Sequence, residues 1–270
     1  MNYSIVIESP SSDHAGTFKE LAETVHYGLR ELGKTPSDLV QPDGEPPPKR
    51  DIILGAHNLP ADYSNPDNVL YNLEQRGSPV LDRPEMLDLL RRHEVWDYSA
   101  SNVAWLAERG VAAKHVPIGY MPQMTRIPDV PKDIDVLFYG SLNERRNNVL
   151  TELYRRRLKV RHVFGAYGKK RDALIARSRI VLNMHHYEAQ IFEMVRCSYL
   201  FANRACVVSE ESADVPPDLQ GNVLFVPYAK LAETCADLVA DEQVSRSLAE
   251  TAFEAFRACK ETDYLAKVLQ

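Results

Sequence analysis

Between positions 182 and 210 the chain reads LNMHHYEAQIFEMVRCSYLFANRACVVSE, and its polar residues gather where an apolar strand gives way to a helix. Asn183, His185, His186, Tyr187 and Glu188 follow the strand-like RIVL, and Glu193 falls inside an otherwise apolar helical segment. A carboxylate on an apolar helix is costly unless it is paired or hydrogen-bonded. Two partners are open to Glu193. One is a ribose diol, the group that acidic residues grip in dinucleotide sites. The other is Arg196, three residues on, in an ordinary intrahelical ion pair. Side chains of the adjacent His185 and His186 diverge and lack the i, i+4 spacing of zinc ligands, so no metal site is expected there.

Two further polar clusters stand at predicted strand ends. In FYGSLNERRN, Gly140 and Ser141 follow a strand while Arg145 and Arg146 open the next helix. A glycine lets backbone approach a ligand closely, and a helix N-terminus with forked guanidinium donors favours phosphate oxygens. The bland alternative is a tight turn followed by solvated arginines. The spacing fits neither a P-loop nor GxGxxG. In the loop SPSSDHAG, Asp13 beside His14 makes a candidate general base, a histidine held by a carboxylate. A helix-capping loop with solvated side chains would look the same. Glu74, Asp97 and Tyr98 are polar residues at two more strand ends of the first half.

The elements that must position these residues alternate along the chain. Strands are expected at YSIVIES, DIILG, NVLYNL, VWDYS and AKHVPI, and helices at 17–33, opened by a Thr17–Glu20 capping box, and at ASNVAWLAERG. The proline-rich GYMPQMTRIPDVPKD breaks the pattern, which restarts with strands IDVLFYG, VRHVF, RIVLNM, ACVVSE and NVLFVP separated by helices. This predicts an α/β chain of two halves, 1–125 and 126–270, each a parallel sheet with helices on both faces. Ligands of such sheets bind beyond the carboxyl ends of the strands, where the polar clusters lie.

With 270 residues, 44% of them hydrophobic and 26% charged, the chain has the composition of a globular protein. The formal net charge of −6 argues against a generic nucleic-acid binder. Cys197, Cys206, Cys235 and Cys259 show no CxxC spacing and are expected as buried free thiols of a cytoplasmic protein. Trp96 and Trp105 are expected in the core.

The stretches DVLFYGSLNERR and RIVLNMHHYEAQIFEMVRCSYLFANRACVVSE, with the terminal helices, cover most of 134–270. They resemble the nucleotide-binding domain of GT-B glycosyltransferases, small bacterial and phage-type members with a family-1/4-like donor domain. The first half is similar in strand order and in VLYNLEQ, VWDYSASN and VPIGYMP. The resemblance implies two Rossmann-like domains facing across a cleft, with the second half holding a nucleotide sugar (a UDP-sugar by analogy) and the first supplying the acceptor side. It implies that Glu193 contacts the donor ribose and that Gly140, Arg145 and Arg146 contact its phosphates, with Ser141 beside them in the donor site. Asn183, His185, His186 and Tyr187 then line the donor site. Glu74, Asp97 and Tyr98 fall on the acceptor side, and Asp13 or His14 is the base in an inverting reaction. Many retaining members carry two glutamates separated by seven residues. His185 stands at the first of those positions here, so retention and inversion both stay open. No metal cofactor is implied, because cationic side chains and helix termini can neutralise a leaving diphosphate.

Sugar transfer to a hydroxyl, on a glycan or a hydroxylated nucleobase in DNA, is thus the leading expectation. A nucleotide-sugar epimerase of the same fold and a non-catalytic sugar-nucleotide or nucleic-acid binding module are the rivals. The last draws on residues 155–171, which hold eight Lys or Arg and no acid. Such a run is commonly a solvated face, yet it also suits a polyanionic acceptor such as DNA.

Overall fold

The computed structural model describes residues 1–9, 16–34 and 49–269; Asp13 and His14 lie outside the described residues. Two compact units divide the chain. One comprises Met1–Met121 together with Lys260–Gln270, the other Pro122–Cys259. The boundary falls within the proline-rich GYMPQMTRIPDVPKD segment.

In the first unit, β1 (Asn2–Ile7), β2 (Lys49–Leu54), β3 (Val69–Asn72), β4 (Glu94–Asp97) and β5 (Ala113–His115) form one sheet in sequential order. Every pairing is parallel. All four residues of β3 are buried, as expected of a strand covered on both faces. Around the sheet run α1 (Lys19–Glu31), α2 (Pro84–Arg91) and α3 (Ala100–Ala107). Leu21, Val25 and Leu29 of α1 recur at i+4 spacing and are all buried. The expected Thr17–Glu20 capping box does not open this helix. Phe18 holds the N-cap position without a side-chain cap, and Glu20 is buried inside the first turn. Helix α2 has no counterpart in the sequence reading; Pro84 and Glu85 in its first turn are its local start signals. Trp96 is fully buried in β4.

The chain returns to this unit in α9 (Glu261–Ala266), so the halves read from sequence, 1–125 and 126–270, part from the compact units at the C-terminal end. The cause is packing against α1. A Cβ on Gly28 would stand 2.7 Å from Leu265 Cδ1 and 3.0 Å from Glu261 Cγ, so a larger residue there would have to push those side chains aside for the two helices to stay this close. Glu261 is 0% exposed. Its Oε2 accepts from the Gly119 amide at 2.6 Å, whereas Oε1 has no hydrogen-bond partner. Burial pushes its carboxyl up to about 7, against the pull of the Gly119 amide.

The second unit is a parallel sheet of β6 (Ile134–Tyr139), β7 (Val160–Val163), β8 (Ser178–Asn183), β9 (Val207–Glu210) and β10 (Leu224–Val226), in the spatial order β7-β6-β8-β9-β10. Helices α4 (Glu144–Arg155), α5 (Gly168–Arg177), α6 (Met194–Ala202), α7 (Leu231–Ala240) and α8 (Glu242–Ala258) accompany it. Val136, Phe138, Ile180, Leu182 and Val208 of the sheet pack with Val149, Leu153, Leu231 and Cys235 of α4 and α7. The strand order reverses between β6 and β8. A crevice opens outside the carboxyl ends of strands at such a reversal, where doubly wound sheets bind their ligands. The four cysteines are buried and free. Among the described residues no helix is long and apolar enough to cross a membrane.

Candidate functional site

The reversal between β6 and β8 brings together the two polar stretches of the second unit. After β6 the chain turns at Gly140 with φ 146°, and a Cβ there would lie 3.1 Å from the Arg196 guanidinium. The backbone conformation favours glycine at 140, and a side chain there would also have to displace the Arg196 guanidinium by a few tenths of an ångström. Gly140→Ala is expected to lower the stability of this unit by about 1–3 kcal/mol, read as a lower urea midpoint in circular dichroism. An unchanged midpoint would mean that the turn relaxes freely. Asn143 then caps α4, its side chain accepting from the Arg146 amide at 2.9 Å.

After β8 comes a network centred on Asn183, which is fully buried. Its amide nitrogen donates to Glu193 Oε2 at 2.8 Å and to Ser209 Oγ at 3.1 Å, while Arg196 donates to its Oδ1 at 3.1 Å. His185 Nδ1 lies 3.2 Å from Glu193 Oε1, within hydrogen-bonding distance of the carboxylate. The other ring nitrogen meets Glu211 O at 2.9 Å and Ser212 Oγ at 3.0 Å. Glu193 thus has Asn183 and His185 as partners, and Arg196 bonds Asn183 rather than forming the intrahelical ion pair considered from sequence.

Nor does Glu193 sit within the helix. It occupies the N-cap position of α6, outside Met194, and its side chain makes no cap hydrogen bond. The carboxylate stands at the positive end of a helix dipole, a favourable place for a negative charge. Burial acts to raise its pKa. The hydrogen bond and charge of His185, the charge of Arg196 and the Asn183 amide outweigh that and hold it below the ordinary value. Glu193 is therefore an ionised, 13% exposed carboxylate with both oxygens oriented by buried partners.

The two arginines behind the glycine turn differ. Arg146 is 3% exposed and donates to Met184 O at 2.6 Å, Ser141 O at 2.9 Å and His185 O at 3.3 Å. The sequence reading puts it on a phosphate; its guanidinium instead staples the loop after β6 to the loop after β8. Burial and the nearby Arg196 charge pull its pKa down to about 10, so it stays charged at neutral pH. Arg145 is half-buried, forms a two-point ion pair with the buried Glu210 and lies 4.0 Å from the centre of the Tyr228 ring. Glu210 also accepts the His185 amide at 3.2 Å. A shallow groove of about 350 Å³ runs along Asn143, Glu144, Arg145, Asn148 and Tyr228. Ser141 and Tyr187 are half-buried, and the exposed His186 meets the Tyr187 ring edge-on at 4.9 Å. The His186 ring has its pKa lowered by burial and then by Arg146.

Sequence reasoning missed Glu210, Ser209, Ser212 and Tyr228, and weighed Arg196 only as an ion-pair partner. Position was the available signal: Ser209 and Glu210 end the strand of CVVSE, beside the strand that ends in Asn183. A larger cavity of about 420 Å³ lies at the amino ends of β8 and β9, by Ser178 and Cys206. Its Arg179 is paired with Asp135 and Glu242, Arg246 with Glu242, and Arg204 with Glu250. Convergent polar groups, and not volume, single out the carboxyl end.

In the first unit Asp97 is fully buried and accepts from Asn72, Asn102 and the Ser99 amide at 2.6–3.2 Å, so it fixes the ends of β3 and β4. Tyr98 is buried, its hydroxyl accepting from Gln75 at 3.3 Å. Glu74 is half-buried; one oxygen accepts from Ser78 at 3.1 Å and the other stands 3.5 Å from His57 Nδ1. Among the described residues no three His, Cys, Asp or Glu side chains gather as a metal site would need.

No family model matches the chain. Uncharacterized protein L140 of Acanthamoeba polyphaga mimivirus is 28% identical over 182 residues, 62% of this chain and 58% of that protein. The chain thus spans about three-fifths of the length of that curated relative. Among solved structures, Anabaena HepE in complex with UDP and glucose aligns with a TM-score of 0.63 at 11% identity, over 100% of this chain and 99% of that one. A DNA modifying enzyme, β-glucosyltransferase, aligns with a TM-score of 0.58 at 10% identity, over 99% and 98%.

Proposed function

We propose that this chain, whose two five-stranded parallel sheets have the GT-B fold, transfers a sugar from a nucleotide-sugar donor, of the UDP class, to a hydroxyl acceptor. The observation that carries the proposal is the pre-oriented Glu193 carboxylate beside the Gly140 turn, at the strand-order reversal of the second unit. Glu193 accepts from the ribose hydroxyls. The Gly140–Ser141 backbone admits the diphosphate, and the Arg196 guanidinium alongside Gly140 is the nearest cation for it. Arg146 keeps the two loops in register, and Arg145 with Tyr228 forms the outer wall. Positive charge fixed in place before the reaction stabilises the leaving diphosphate without reorganisation. His185 keeps Glu193 oriented from behind. The neighbours found with UDP and UDP-glucose support the donor class.

Thermal unfolding with UDP, GDP, ADP, UDP-glucose and UDP-N-acetylglucosamine tests this directly. A ligand at a hundred times its Kd stabilises the native state by about 2.7 kcal/mol, so the uridine nucleotides are expected to raise Tm by several degrees. No shift with any of the five would overturn the donor assignment.

A further inference from the structure

The residues left over by the donor site include the run 155–171. Its eight cations sort into two groups. Arg155 and Arg156 pair with Glu152, and the buried Arg171 pairs with Asp172 at 2.8 Å. The side chains of Arg157, Lys159, Arg161, Lys169 and Lys170 are exposed and have no carboxylate within ion-pairing distance among the described residues. Among the described residues none of them forms an ion pair, although the charge of Lys159 is felt by the Asp133 carboxylate, in a chain whose net charge is −6.

They lie in strand β7 and on both sides of it in sequence. Strand β7 is an edge of its sheet, hydrogen-bonded only to β6. Lys159 stands just before it, in a tight turn closed by the Val160 amide donating to Leu158 O at 3.0 Å, and Arg161 is exposed within the strand. Lys169 and Lys170 follow beyond the carboxyl end, in the first turn of α5. Between them Phe164 is 68% exposed, more than any other large apolar side chain described. The turn it opens contains Gly165 and Gly168, both at positive φ with open space around them. The other face of β7 is tied to the donor site: His162 Nε2 donates to Gly140 O at 2.9 Å, and the Gly140 amide donates to Val163 O at 3.0 Å. The strand that carries Arg161 is therefore bonded directly to the glycine turn.

A group of unpaired cations beside an exposed aromatic is the combination that binds single-stranded nucleic acid, where phosphates meet the charges and a base stacks on the ring. An acidic glycan would meet the charges but has no flat base for Phe164. Edge strands also carry cations merely to prevent pairing with another sheet, and that function leaves Phe164 unexplained. We infer that the β7 edge, with Arg157, Lys159, Arg161, Lys169, Lys170 and Phe164, docks a single-stranded nucleic acid. This rests on the sugar-transfer reading above, in which it makes the acceptor a nucleic acid presented beside the donor.

The test is fluorescence polarisation with a labelled single-stranded DNA 20-mer, the matching RNA, the duplex and a heparin oligosaccharide. Log affinity for the single strands is expected to fall with log salt by about 0.7 per phosphate engaged, a slope near −3 for four or five contacts. Replacing Arg161, Lys169 and Lys170 together by alanine should flatten the slope by about 2. Phe164→Ala should weaken single-strand binding roughly 5- to 150-fold and leave the slope unchanged, since one stacked base contributes about 1–3 kcal/mol. Absence of salt-sensitive binding by the unmodified protein overturns the inference. So does heparin binding of equal strength, or indifference to Phe164→Ala, either of which marks a general polyanion surface. The UDP thermal shift of each variant is measured alongside and is expected to equal that of the parent. Nucleic-acid binding without any nucleotide shift would leave this surface standing and sink the donor site; the reverse result would do the opposite.

Discussion

Glu193→Ala is expected to weaken UDP binding by about 1–3 kcal/mol, roughly 5- to 150-fold in Kd by calorimetry, the loss typical of a hydrogen bond to an ionised group. The substitution also leaves the Asn183 amide and His185 Nδ1 without their partner in a buried network, so some loss of affinity would follow from disorder alone. A second ligand separates the two causes. UDP and 2′-deoxy-UDP differ by one ribose hydroxyl. If Glu193 holds the diol, the parent protein prefers UDP and the alanine variant loses most of that preference. If Glu193 only braces the loop, both ligands weaken by the same factor. Equal weakening, or unchanged UDP affinity in a folded variant, would sink the ribose assignment.

The second large effect concerns pH and the first unit. Glu261 has its folded pKa raised to about 7 from an ordinary value of 4.5. A carboxyl raised on folding stabilises through its protonated form, because the native state binds the proton more tightly than the unfolded chain. That contribution is complete below about pH 4.5 and is lost as pH rises through 7. The size of the shift corresponds to about 3 kcal/mol. Glu261→Gln keeps an acceptor for the Gly119 amide and removes the titration. Above pH 8 the glutamine variant is expected to be the more stable by up to about 3 kcal/mol, whereas near pH 5 the two should lie within about 1 kcal/mol. Both tryptophans, Trp96 and Trp105, belong to the first unit, so urea unfolding followed by their fluorescence isolates it. Parallel stability–pH curves for the two proteins would refute the assignment.

Much of the fold was legible because strands covered on both faces are near-continuous apolar runs. IDVLFYG, RIVLNM and DIILG mark their strands to within a residue or two. Helix α2 was not, because eight residues carry little periodicity and its stability comes from packing Met86, Leu89 and Leu90 into the core. The return of α9 to the first unit was hidden for a similar reason: it depends on Gly28 meeting Leu265, a contact between residues far apart in sequence. In the candidate site the residue types were visible but their partners were not. Arg145 and Arg146 are alike in sequence, yet one reaches a buried glutamate and the other three carbonyl oxygens. What an arginine does is set by which groups its long side chain reaches. Glu193 was visible as an expensive carboxylate, and the structure supplies the histidine and asparagine that make it affordable.

Because Lys260–Gln270 belongs with Met1–Met121, the second unit is an insertion within the first. During synthesis, the inserted unit is made in full before the surrounding one has all its parts. At about 5–20 residues per second the intervening stretch takes roughly 7–28 s to make. Throughout that interval α1 lacks the helix that covers Gly28, and the Gly119 amide lacks its carboxylate. The first unit is therefore begun first and completed last, and its nascent form must wait with one face uncovered.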